Sequence, residues 1–197
     1  MKKLTIYALA ILTVAAIAAP AMAFTLLSPA RVWKTTPVSV VVYNRGNTTV
    51  TDSDGGVTAV VGAIKAWGIV NSSVTSVAAR QGTAPATITL NNNGHVCNGS
   101  CLAATLTGYY HTEGGKAYID DADVYTNTKV ALTSSRETDG CSGEYDLDGI
   151  MVHEVGHVIG LGHSTVNGAT MYPSVSACNF NNRTLEADDI AGKNALY

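Results

Sequence analysis

The chain has 197 residues, of which 46% are apolar and 14% charged, with a formal net charge of −3. That balance excludes a disordered chain and supports a folded core. It also carries no basic stripe, which argues against a nucleic-acid partner.

The first residues read as an address. Lys2 and Lys3 precede an apolar stretch from Leu4 to Ile17, and Ala21-Met22-Ala23 fits an A-x-A cleavage site. The pattern predicts a signal peptide over 1–23 and a mature chain over 24–197, one domain by length. Losing the two lysines takes the net charge from −3 to −5. No later segment reaches the roughly 20 apolar residues that span a bilayer, so no membrane association is expected after cleavage. The expected location is periplasmic or fully secreted, and the expected state is a monomer.

The mature elements follow in order. Trp33 precedes a strand-like run, Val38 to Tyr43. Acid and glycine residues at 52–56 predict a helix start, and Val57, Val60, Val61, Ile64 and Trp67 sit at helical spacing over 57–70. Ala86 to Leu90 alternates like a strand. All four cysteines, Cys97, Cys101, Cys141 and Cys178, lie in the exported part. An even count there predicts two disulfides, with three possible pairings. We favour Cys97–Cys101, closing a small loop, with Cys141–Cys178. Metal binding by Cys97 and Cys101 is the rival, and it lacks a second nearby ligand pair. The sequons at Asn47, Asn71, Asn98 and Asn182 read as chance.

Residues 153–163 read HEVGHVIGLGH. On a helix, His153 and His157 share one face and their imidazoles can converge on one ion. Glu154 lies about 100° round the axis, beside the metal but not on it. Met151, Val155, Val158 and Ile159 supply a back face to bury. Asp146 suits the N-cap and Asp148 the positive helix start. Gly160 can take a positive φ, end the helix and let His163 return as a third ligand. Three neutral imidazoles suit Zn2+ and leave a fourth position for water, whose pKa the metal lowers to about 7. Glu154 is then placed to act as general base and to pass the proton to a leaving amine. A structural zinc site would more usually fill all four positions and use cysteine.

Ser164 follows the third histidine, and ATMYP at 169–173 places Met171 eight residues after His163. This string resembles the metzincins with their Met-turn, and within them the matrixins. LEADDIAGKNALY at 185–197 is similar to the family's last helix, and LAAT at 102–105 and GGKAYIDDADVYTN at 114–127 to its cleft-edge strand and following segment. The resemblance implies an α+β fold: a twisted mixed sheet of about five strands with two long helices. The upper part would span 24–160. A lower part, 161–197, would hold the Met-turn and last helix. It also implies that about Leu102 to Leu106 bind substrate backbone by strand addition. Tyr172, Pro173 and Val175 would be walls of the S1′ pocket, with Val175 standing where the family usually has Tyr.

Other departures bear on metals. The positions of two structural-zinc histidines read Ala104 and Tyr118, so no structural zinc is expected, and His95 and His111 read as solvated loop residues. Asp120 and Asp123 match acidic Ca2+ ligands of the family, whereas a third acid position is Val96. Only nine residues, Phe24 to Val32, precede Trp33, so no cysteine-switch prodomain is expected. The resemblance also implies that the new N-terminal ammonium, at Phe24, pairs with Asp188 or Asp189. The function implied is a secreted zinc metalloendopeptidase acting on peptide or protein substrates. The alternatives are a non-catalytic exported binding module on the same fold and a narrow processing peptidase or amidase. Glu154 argues against the binding module, which needs no base beside an open metal position.

Overall fold

The computed structural model describes residues 23–43, 50, 55–75, 86–92, 96–134 and 140–197. The predicted signal peptide up to Met22, the sequon at Asn47, the residues 52–54 before the first helix, and His95 lie outside the described residues.

The strands are β1 (Arg31–Val32), β2 (Val38–Tyr43), β3 (Val70–Thr75), β4 (Ala86–Asn92), β5 (Ala103–Leu106), β6 (Tyr110–Glu113), β7 (Lys116–Ile119), β8 (Ala122–Asn127), β9 (Leu132–Thr133) and β10 (Tyr145–Asp146). The helices are α1 (Val57–Lys65), α2 (Leu147–Val158) and α3 (Ala187–Leu196). The main sheet has the order β3-β2-β4-β8-β5, with β5 antiparallel at one edge and the other pairings parallel. A smaller sheet, β1-β7-β6, and the short pair β10-β9 lie apart from it. This is the α+β mixed-sheet architecture anticipated from the resemblance.

The register explains the core. Val42 pairs with Ile88, Ile88 with Val124, and Val124 with Thr105, so one row crosses the sheet on a single face. The first three are fully buried, in one cluster with Val60 and Ile64 of α1 and Met151 and Val155 of α2. Parallel strands covered in this way read as apolar runs, as VSVVVY does. The row's fourth member, Thr105, brings a hydroxyl to the edge of that core.

One sequence expectation is corrected, and one strand was not anticipated. The helix expected over 57–70 stops at Lys65, and Gly68 takes φ +71 to turn the chain into β3. Trp67 kept the helical spacing because it is fully buried in that turn, its indole donating to the Val152 carbonyl at 2.8 Å. The strand β3 was missed because VNSSVT is polar and half exposed, having, among the described residues, only β2 as a neighbour at the sheet's far edge.

α2 is held at both ends. Asp146 is its N-cap, accepting from the Gly149 N–H at 3.2 Å. At the other end the Trp33 indole donates to the Val158 carbonyl at 2.7 Å, and the Tyr197 hydroxyl to the Ile159 carbonyl at 2.9 Å. These contacts satisfy carbonyls that a helix C-terminus leaves without partners. Gly160 then turns the chain at φ +108, and a Cβ there would meet the Arg31 carbonyl oxygen at 2.3 Å. Only glycine suits both demands.

Candidate metal centre and cleft

His153 and His157 project from α2, and the Gly160 turn returns His163 to them. The ring centroids are 4.8 to 5.3 Å apart, and one nitrogen from each ring lies within 4.8 Å of the others. The backbone decides which nitrogens face inward. His153 Nδ1 donates to the Thr170 carbonyl at 2.7 Å, and His157 Nδ1 to the Leu161 carbonyl at 2.8 Å. A carbonyl can only accept, so both rings carry their proton on Nδ1. The two Nε2 atoms, 3.1 Å apart, then face each other as bare lone pairs. That arrangement repels unless a cation lies between them. Tetrahedral zinc with bonds of about 2.0–2.1 Å would space its nitrogens by about 3.3 Å, so the donor set fits such an ion.

The electrostatics agree. Burial, with His157 and then His163 nearby, pushes His153 down to about 3. Burial likewise lowers His157 and His163, the latter with help from His157. All three rings are therefore held neutral, the form that coordinates metal. Glu154 is buried beside them, which pushes its carboxyl up to about 7 against a lowering hydrogen bond from Thr105. The Thr105 hydroxyl is 2.5 Å from Glu154 Oε2.

Met171 is fully buried against α2, and a Cβ on Gly156 would come within 2.2 Å of its sulfur. The turn is held by Asp189, which accepts from the Thr170 and Met171 N–H groups at 2.8 and 2.9 Å. Ser164 accepts at this turn and donates: its hydroxyl takes the Val166 N–H and gives to Asp188 at 2.7 Å. Asp188 also receives the backbone N–H groups of Ala23 and Phe24 at 2.8 and 3.1 Å.

A cleft of about 610 Å³ opens over the histidines between β5 and the segment after Met171. Tyr172, Pro173 and Val175 line it, as do Gly149 and Ile150 of α2. One disulfide bounds it, and the other lies behind its wall. Cys97–Cys101 closes a loop whose Ser100 and Cys101 form part of the rim. Cys141–Cys178 ties the approach to α2 to the far side, next to the Cys178 N–H bond with the Glu144 carbonyl. Asn127 braces the first loop by donating to the Gly99 and Cys101 carbonyls.

Other candidate residues sit elsewhere. Asp120 pairs with His111 at 2.7 Å on the surface. Asp123 is buried and accepts from Thr87 and, at 3.4 Å, from Tyr125. Among the described residues, neither joins a cluster of three potential metal ligands. The sequence reading missed Arg183, whose guanidinium forks onto Asp146 with two bonds of 2.8 Å. No local pattern marks this pair, since its members are 37 residues apart.

Residues 33–197 match the family model described as Matrixin. The chain is 33% identical over 96 residues to metalloendoproteinase 4-MMP of Arabidopsis thaliana, covering 49% of this chain and 26% of that protein. It is 37% identical over 84 residues to neutrophil collagenase of Homo sapiens (43% and 15%), and 40% identical over 94 residues to metalloendoproteinase 1 of Glycine max (48% and 27%). The matched segment thus spans between 15% and 27% of these relatives' length.

Proposed function

The chain belongs to the matrixin family, and we propose that it is an exported zinc-dependent metalloendopeptidase that hydrolyses internal bonds of peptides or proteins. The observation that carries this reading is the pair of bare Nε2 atoms held 3.1 Å apart, with a third imidazole and a buried carboxylate beside them.

In this reading His153, His157 and His163 hold the zinc. When bound, zinc supplies a Lewis acid for the scissile carbonyl and lowers the pKa of water to about 7. Glu154 takes the proton of the attacking water and delivers it to the leaving amine. Its place beside the histidines on the wall of the same cleft supports that task. The outer edge of β5 aligns the substrate backbone as an added strand. Tyr172, Pro173 and Val175 border the pocket for the first side chain beyond the cut.

Export rests on the signal-peptide pattern over 1–23, and the two disulfides suit an oxidising compartment. The test measures bound zinc and cleavage of a peptide library in the wild type and Glu154→Ala. The variant should retain zinc and lose roughly 100- to 10,000-fold in kcat/KM. A variant that keeps zinc and cleaves as well as the wild type removes Glu154 from the mechanism.

A further inference from the structure

Thr105 joins the candidate base to the strand at the cleft edge. Its hydroxyl has two acceptors on one residue, Glu154 Oε2 at 2.5 Å and the Glu154 carbonyl at 3.2 Å. Among the described residues, no other side chain hydrogen-bonds that carboxylate. The side chain points at α2 because Thr105 ends the Val42–Ile88–Val124 row, whose other members are core. A glutamate's terminal torsion is broad and roughly two-fold, so an isolated carboxylate samples many orientations. A donor on one oxygen removes that freedom.

We propose that Thr105 is a positioning residue for Glu154: its hydroxyl holds Oε2, so that Oε1 is presented to the reacting groups. The inference rests on the reading of Glu154 as the base. It adds that base and substrate are registered by one four-residue strand, β5, whose backbone edge faces the cleft while its Thr105 side chain grips the carboxylate. The hydroxyl acts in the chemical step and not in binding.

The test compares the zinc-loaded wild type with Thr105→Val and Thr105→Ser on one peptide that the wild type cleaves, reading kcat and KM separately, zinc per chain and the thermal midpoint. Thr105→Val, nearly isosteric but without the hydroxyl, should keep its zinc and KM while kcat falls about 10- to 100-fold. Thr105→Ser should recover most of kcat. The proposal is overturned if Thr105→Val keeps the wild-type kcat, if its loss lies in KM alone, or if Thr105→Ser is equally impaired. Loss of zinc or early melting in both variants would mark a merely structural role and also overturns it. A wild type that cleaves nothing in the library defeats the proposed function and this inference together, an outcome distinct from an active wild type with an equally active Thr105→Val.

Discussion

Asp188 and Asp189 are neighbours with different work. Asp188 is half-buried and gathers the Ala23 and Phe24 N–H groups and the Ser164 hydroxyl. Asp189 is wholly buried and accepts three backbone N–H groups, from Thr170, Met171 and Glu186. It thereby caps α3 and fixes the Met171 turn at once. Because the Thr170 carbonyl receives the His153 ring, Asp189 also orients a candidate metal ligand through one intervening residue. Each buried donor left unpaired costs about 1–3 kcal/mol. Asp189→Ala should therefore lower unfolding free energy by about 3 kcal/mol or more, and zinc affinity by about 10- to 100-fold, the usual effect of losing an outer hydrogen-bond partner. Asp188→Ala should cost about 1 kcal/mol. Denaturant titration and zinc competition measure both, and equal losses in the two variants would count against burial as the distinction.

Among the elements, α2 is held by its own caps, whereas the segment after Met171 is held mainly by a crosslink. The helix is clamped by Asp146 with Arg183 at its start and by two aromatic side chains at its end. The following segment has little regular structure, only the short 3-10 turn Asn181–Arg183, and relies on the Cys141–Cys178 bond. That crosslink spans 37 residues, and loop-closure entropy gives it about 4 kcal/mol, against about 2 for the four-residue Cys97–Cys101 loop. Replacing Cys141 and Cys178 by alanine should lower the thermal midpoint clearly more than replacing Cys97 and Cys101. On the proposed function it should also raise KM more than it changes kcat, because the proposed pocket wall and not Glu154 loses its support. A reversed order of midpoints would show that strain or residual unfolded structure outweighs loop length.

For the whole molecule, bound metal adds stability by mass action. At a zinc concentration 100 times Kd the contribution is about 2.7 kcal/mol, or roughly 5–10 °C for a domain of this size. A chelator should lower the midpoint by that order and zinc should restore it, while the same treatment of His157→Ala should change little. An unchanged wild-type midpoint would speak against a resident ion. Legibility from the chain divided along similar lines. The histidine helix, the Gly160 turn and Met171 are visible in sequence because 19 consecutive residues, 153–171, carry their own geometry. The Thr105–Glu154 and Arg183–Asp146 contacts bridge 49 and 37 residues, and only the sheet register and helix packing create them. Strand β3 was hidden because a polar edge strand leaves little apolar alternation to read.

The brevity of β5 has a consequence beyond catalysis. A sheet margin that must stay open to receive a passing peptide is equally open to another copy of the same sheet, and long flat margins are where folded proteins begin to stick together. At four residues β5 offers a short edge, enough for the strand addition proposed above, yet a poor template for stacking copies. Lengthening it would favour self-association, so solubility at high concentration limits how long this sheet edge can be.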